Sequence, residues 1–108
     1  MKNIKKILVT NIMLFSLSAC TWVELAPEAE KVVVLSQTEV TKCKELGNTT
    51  ASVKYEVGGF NRDMKTITNE LQTLARNSAV ELKGDAIVAV GEVVKGAQKY
   101  KIYQCRPQ

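Results

Sequence analysis

Four stretches of the chain have the composition or alternation of β-strands. β-Branched residues are concentrated in 31–35 (KVVVL) and in 49–57 (TTASVKYEV), where two glycines end the second stretch. Residues 85–94 (DAIVAVGEVV) form an almost continuous apolar run, which is typical of a strand in the middle of a sheet. After a KGAQ turn, 99–105 (KYKIYQC) alternates between two faces, which predicts the last strand of a hairpin.

Two further stretches have helical signals. Asn61 or Asp63 can cap a long amphipathic helix that stops at Gly84, and its apolar stripe recurs every three or four residues: Met64, Ile67, Leu71, Leu74, Ser78 and Leu82. An S-x-x-E capping box at the start of 36–46 (SQTEVTKCKEL) predicts a short helix closed by Gly47.

This order of elements predicts an α+β fold. We expect a small three- to four-stranded mixed sheet packed against one long helix, with a short second helix and one disulfide. The strand, helix and strand over 49–90 should form a right-handed parallel crossover.

The first 20 residues have the pattern of an export signal. The start is basic, and 7–19 is an apolar run of 13 residues, whereas a helix that crosses a bilayer needs about 20. The run ends in LSAC, which resembles the lipobox of bacterial lipoproteins: Leu17, Ser18, Ala19 and Cys20. The thiol of Cys20 would then carry the lipid; in a conventionally secreted protein, Cys20 would be incidental.

Lipidation at Cys20 would anchor the protein stably, because two or more buried acyl chains hold a protein on a membrane. Thr21 replaces the aspartate that typically retains such proteins at the inner membrane, which favours the outer membrane, facing the periplasm. We therefore predict a signal peptide at 1–19, an acylated cysteine and short tether at 20–30, and one periplasmic domain at 31–108. Trp22 either lies in the bilayer interface or packs on the domain.

Charge gives no indication of a nucleic-acid partner. The whole chain carries +4, but three of its 15 basic residues lie in the signal, which leaves 12 against 11 acids. The mature chain is near neutral, and an exported domain would not meet nucleic acid.

Cys43 and Cys105 remain once Cys20 is acylated. Two cysteines in a small exported domain predict a disulfide, whose loop would contribute about 4 kcal/mol. A redox-active pair or two free thiols are the alternatives, although the pair lacks C-x-x-C spacing.

The residue types argue against an enzyme. The chain contains no histidine, which excludes an imidazole base or a histidine metal site. With two mature thiols already assigned to a bridge, we expect no metal and no cofactor. The acids lie in the tether or off the apolar stripe, as solvated charges do.

Lys95, Lys99, Lys101 and Arg106 form a candidate partner surface on the last hairpin. They either face an acidic protein, lipid head groups or cell-wall carboxylates, or are solvated residues that protect a sheet edge from strand pairing.

Several segments together resemble a family of small lipoproteins of diderm bacteria that is grouped as a domain of unknown function: CTWVELAPEAEKVVVL, TKCKELGNTT, VGGFNRD, LARNSAVELKGDAIVAV and YQCR. The resemblance implies an exported α+β domain with no assigned activity. More remotely, the long helix running into GDAIVAV and the disulfide-held sheet are similar to the Rcs stress-sensor lipoprotein.

We therefore expect a non-catalytic, lipid-anchored envelope protein. Its domain would be a binding or adaptor module for an envelope protein, in envelope maintenance or stress sensing. The alternatives are a structural accessory subunit of an envelope assembly, or a small redox protein that uses Cys43 and Cys105.

Overall fold

The computed structural model describes residues 23–107. Within them, two 3₁₀ turns accompany six strands and one α-helix. In chain order these are the first 3₁₀ turn Pro27–Lys31, β1 (Val33–Val34), the second 3₁₀ turn Gln37–Val40, β2 (Lys44–Ser52), β3 (Glu56–Val57), β4 (Phe60–Asn61), helix α1 (Met64–Glu81), β5 (Ala86–Val94) and β6 (Ala97–Gln104).

The strands form a mixed sheet of four in the order β1-β5-β6-β2, and β3 and β4 form a separate hairpin. β1 is parallel to β5, whereas β6 is antiparallel to both of its neighbours. The α+β fold predicted from the sequence is confirmed. β2 and β5 run in the same direction, as the predicted crossover requires, but β6 lies between them.

Two element boundaries differ from the prediction. The short helix predicted over 36–46 is wrong beyond Val40, because the residues from Lys44 onward pair with the end of β6. The strand predicted over 49–57 is interrupted after Ser52, where the Val53 N–H donates to the Gly96 carbonyl at 2.8 Å and the chain turns into β3. Pairing with distant residues decides both boundaries.

Helix α1 begins and ends with local hydrogen bonds. Asp63 is the N-cap, and its carboxylate accepts from the Thr66 N–H at 3.0 Å. At the other end Lys83 adopts a positive φ of 64°, and the Gly84 N–H donates to the Ala79 carbonyl at 2.8 Å. Lys83, and not the predicted Gly84, therefore provides the left-handed residue that ends the helix.

Gly84 is required for a different reason, which is close packing. A Cβ at this position would lie 2.5 Å from Cγ2 of Ile102 and 3.1 Å from the Tyr103 carbonyl oxygen. The absence of a side chain lets the end of α1 pass directly over β6.

The main core lies between α1 and one face of the sheet. The buried face of the helix repeats every four residues, and it packs on a second set from the sheet and the N-terminal segment: Ile67, Leu71, Ala75 and Ala79 against Val32, Ala51, Ile87, Tyr100 and Ile102. Ala75 and Ala79 are absent from the predicted stripe, while Met64 and Leu82 of that stripe are exposed. Alanine allows the helix to approach the sheet closely. Because alanine is only weakly hydrophobic, the predicted apolar stripe did not include these two positions.

A smaller cluster covers one end of the opposite sheet face. Val40 of the second 3₁₀ turn packs there with Ala86, Val88 and Tyr103. The rest of this face is open, and alternation along β2 and β6 places Thr50 and Lys99 on it, both exposed and paired in register. The sheet is therefore covered fully on one side and partly on the other.

A bulge in β5 is filled by a buried amide. The β5–β6 register shifts between Val90 and Val94. Gln98 is buried, and its Nε2 donates to the carbonyls of Val90 at 2.7 Å and Gly91 at 3.2 Å. The side chain thus supplies hydrogen bonds to carbonyls at the bulge, where the register of the ladder shifts.

Candidate functional site

Side chains of helix α1 hold the segment before β1, and the first of them is Asn77. The Asn77 side-chain oxygen accepts from the Ala26 N–H at 2.8 Å, and its Nδ2 donates to the Glu24 carbonyl at 2.8 Å. An amide can donate and accept at once, so it pairs with an extended backbone much as a neighbouring strand does. The described part of the predicted tether therefore packs on the domain.

Arg76 continues this attachment on the same helix. Its Nε donates to the Val32 carbonyl at 2.9 Å and its Nη2 to the Glu30 carbonyl at 3.2 Å. Between these contacts Ala29 of the first 3₁₀ turn is fully buried. We call residues 23–32 the docking segment.

Near the opposite end of the docking segment, the carboxylate of Asp85 organises the C-terminal tail. This side chain accepts from the N–H groups of Cys105 at 2.7 Å and Arg106 at 2.9 Å, and from the Arg106 Nε at 3.3 Å. Arg106 also donates from Nη2 to the Lys31 carbonyl at 2.8 Å. One buried acid therefore joins the C-terminal tail to the start of β5, and Arg106 joins that tail to the docking segment.

These contacts govern the ionisation of Asp85. Burial by itself would raise the pKa of its carboxyl. The N–H groups of Cys105 and Arg106, together with the Arg106 guanidinium, more than offset burial, so the pKa lies below its usual value. Asp85 remains an anion that accepts hydrogen bonds, which is unlike a catalytic acid with a raised pKa.

Glu39 is a second carboxyl with a lowered pKa, and its cause is local. The Ser36 N–H donates to Glu39 Oε1 at 2.8 Å, and the Ser36 hydroxyl donates to the same oxygen at 2.9 Å. These hydrogen bonds stabilise the ionised form. Glu39 acts as an acceptor at the start of the second 3₁₀ turn, as the capping-box pattern predicts.

Cys43 and Cys105 are bonded to each other in the structure, which confirms the predicted disulfide. The bridge joins the chain just before β2 to the residue just after β6, and Cys105 also donates its N–H to Asp85. Bridge and carboxylate therefore hold the same end of the sheet, which we call the disulfide end. The end with the β5–β6 turn is the turn end.

A cleft opens at the disulfide end between the first 3₁₀ turn and the end of α1. It measures about 470 Å³, and it is lined by charges of both signs: Glu28, Lys31, Lys83, Asp85 and Arg106, with Val32, Val80, Gly84 and Pro107. Its buried acid, Asp85, is engaged by three donors, and Glu28 is an exposed acid of the same cleft.

The structure separates the four predicted basic residues. Lys95 lies in the turn before β6 and Arg106 lies beyond its other end, so β6, eight residues or about 27 Å long, runs between them. Lys99 and Lys101 share the open face of β6. Because β6 is an inner strand, these lysines do not protect a sheet edge.

The predicted lipobox, Leu17 to Cys20, and Trp22 lie outside the described residues. In the part of the chain that the structure describes, no group of three or more acids or cysteines is placed to hold a metal ion. Nor is any helix within 23–107 both long and apolar enough to cross a bilayer.

Comparison with protein families gives a match over most of the chain. The model of DUF4156, a domain of unknown function, matches residues 23–105. The chain belongs to the DUF4156 family. The DUF4156 match includes the whole docking segment, Asp85 and both bridged cysteines, and Cys20 precedes it. No curated protein and no solved structure matches the chain significantly.

Sequence reasoning missed Asp85, Asn77 and Arg76 as a group. An acid placed directly before the apolar run of β5 was a signal for Asp85, because a charge that begins a buried strand needs partners. Asn77 and Arg76 had no comparable signal. They occupy the polar side of an amphipathic helix, where solvent exposure is the usual expectation.

Proposed function

We infer that this DUF4156 protein is a lipid-anchored envelope protein whose domain is a non-catalytic binding or adaptor module. It would be attached through Cys20 to the outer membrane and face the periplasm, with a role in envelope maintenance or stress sensing. This proposal rests on the lipobox and on the hydrogen bonds that attach the docking segment to helix α1.

The hydrogen bonds of Asn77 carry the proposal. They fasten the chain from Glu24 onward to α1, so only residues 21–23 lie between Cys20 and the domain. Four residue steps span at most about 14 Å. A lipid at Cys20 would therefore hold the folded domain directly at the bilayer, which suits a protein that receives a partner at the membrane.

The disulfide supports the export that this proposal requires. A bridge between Cys43 and Cys105 persists in an oxidising compartment and is rare in the cytosol. It also closes the sheet end that the Asp85 contacts hold.

β2 offers a place for a protein partner. It is a nine-residue strand at the edge of the sheet, and an edge strand can accept another strand through backbone hydrogen bonds. A stable partner strand at this edge favours the alternative function, an accessory subunit of an envelope assembly. A transient partner favours the adaptor.

The anchor is tested by the intact mass of the protein extracted from its native membrane, before and after reduction. We expect a chain that begins at Cys20, carries three acyl chains and gains two hydrogens on reduction. A Cys20→Ser variant is the control and should lack the lipid mass. An unlipidated native chain would contradict the proposal.

The partner edge is tested by a photo-crosslinking amino acid at Asn48 of β2, with the same group at Asn69 on the exposed side of α1 as the matched control. The adaptor proposal predicts a defined adduct from position 48 alone, formed mainly under envelope stress. A constant stoichiometric adduct would support the accessory subunit, and equal adducts from both positions would contradict a specific edge.

A further inference from the structure

The β3–β4 hairpin exposes a group of apolar side chains at the turn end of the domain. Val57 is 60% exposed, Phe60 is 78% exposed, and Met64 at the start of α1 is 57% exposed. Val57 and Phe60 are register partners on either side of Gly58 and Gly59. Exposed apolar residues grouped in this way mark a surface that meets another molecule or a membrane.

The hairpin is held firmly to the domain. Arg62 donates from Nη1 to the Lys54 carbonyl at 2.7 Å and from Nη2 to Glu70 Oε2 at 2.8 Å. Its N–H also donates to the Tyr55 carbonyl at 2.8 Å. The side chains of Arg62 and Glu70 are only 21% and 17% exposed. One arginine therefore fixes the hairpin to the residues between β2 and β3 and to α1, and presents the apolar tip as a defined projection.

The described chain begins beside this projection. Val23 lines a groove of about 560 Å³ together with Val53, Val57, Leu74, Ser52, Lys54, Arg62 and Glu70. Three residue steps separate Val23 from Cys20, and they span at most about 11 Å. A lipid on Cys20 would therefore place the bilayer next to the hairpin and not next to the disulfide end.

The charges around the hairpin give little preference for anionic lipid. Lys54, Lys65 and Lys95 are exposed near it, and Glu56 and Asp63 are exposed acids of the same region. Arg62 and Glu70 neutralise each other. Glu24, next to Val23, is a further exposed acid. Charges of the two signs therefore nearly balance, so apolar burial must supply most of any attraction to a membrane.

We propose that the β3–β4 hairpin is a second membrane contact, in which Val57, Phe60 and Met64 enter the bilayer interface beside the lipid anchor. The inference rests on the lipid anchor of the proposed function. The domain then stands with its turn end on the membrane and its disulfide end away from it. The length of β2, nine residues or about 30 Å, separates the two ends.

The test uses a single tryptophan as a depth reporter in the protein extracted from native membranes. Trp22 is the only tryptophan of the chain, so a Trp22→Phe, Phe60→Trp variant reports position 60 alone. A Trp22→Phe, Lys42→Trp variant is the control, because Lys42 is exposed next to Cys43 at the disulfide end. Each is reconstituted into phosphatidylcholine vesicles with ordinary or brominated acyl chains.

We expect the Phe60→Trp reporter to emit at shorter wavelength and to lose about half of its fluorescence or more to brominated lipid, since its ring would lie at the acyl boundary. The Lys42→Trp reporter should keep its emission. If Phe60→Trp disturbs the hairpin, Met64→Trp in the same background provides an equivalent reporter.

Four results would overturn the inference. Vesicle flotation with an unquenched reporter at position 60 would leave the anchor intact and remove the hairpin contact. A blue-shifted reporter that brominated lipid does not quench would show that protein covers the hairpin, either residues 21–22 or a second molecule. Equal quenching at positions 60 and 42 would contradict the upright orientation.

Failure of the extracted protein to float would contradict the anchor itself, and with it the inference.

Discussion

The carboxylate of Asp85 accepts a hydrogen bond from the main-chain N–H of Cys105 at 2.7 Å, across 20 residues of sequence. This contact places a buried negative charge directly beside the disulfide. It connects the start of β5 to the tail that follows β6, and the same carboxylate also accepts from Arg106. These hydrogen bonds, and the lowered pKa of Asp85, favour its ionised form in the folded protein.

Asp85→Asn should lower the free energy of unfolding at pH 7 by about 2 kcal/mol, because hydrogen bonds to a charged group are lost and a new amide N–H faces two donors. The folded-state pKa of Asp85 is lowered, so the stabilisation is present above the unfolded-state value of about 4 and is lost as the pH falls through the folded-state value. Urea unfolding from pH 7 to pH 2 should show the two proteins converging at low pH. Glu92→Gln, at an exposed acid of β5, is the control, and a constant difference at every pH would contradict this account.

Asn77→Ala should release the start of the docking segment from α1. The change removes both hydrogen bonds to Glu24 and Ala26, so the Ala26 amide should exchange with deuterium at least about tenfold faster while the core amides stay protected. Asn69→Ala is the matched control, because Asn69 is an exposed asparagine of the same helix. Unchanged exchange at Ala26 would mean that the first 3₁₀ turn holds the segment without Asn77.

Lys95→Asn should stabilise the β5–β6 turn by about 0.5 to 1 kcal/mol. Lys95 and Gly96 both have positive φ, 49° and 75°, and asparagine adopts this conformation at lower cost than lysine does. Thermal unfolding measures the gain. Lys95→Gln removes the same charge without the backbone preference and should have little effect; an equal gain from both variants would assign the effect to charge.

Loss of the bridge should destabilise the domain by about 2 to 4 kcal/mol, because a loop with a sequence separation of 62 regains its freedom in the unfolded chain. The Cys43→Ala, Cys105→Ala double variant tests this without leaving free thiols. Its urea midpoint should be lower than that of the parent and should not respond to reductant. A double variant as stable as the parent would contradict this account of the bridge.

The features that the sequence predicted correctly depend on interactions between residues close together in the chain. The S-x-x-E pattern, the Asp63 cap and the apolar run of β5 act through neighbours a few residues away or through simple periodicity, and each appears at its expected place. Cys43 and Cys105 could be paired because the proposed acylation of Cys20 leaves no other partner. The α+β class followed from these elements.

Only the tertiary structure decided which distant residues meet. Periodicity indicates which face of an element is buried, but it does not indicate the strand order. The pairing of β2 with β6 ends the short predicted helix early, and the length of β6 separates Lys95 from Arg106. Polar side chains on a helix surface look solvated in the sequence, yet Asn77 and Arg76 satisfy the backbone of the docking segment. These contacts depend on three-dimensional packing, because each joins groups more than 40 residues apart, and no local pattern specifies such a pair.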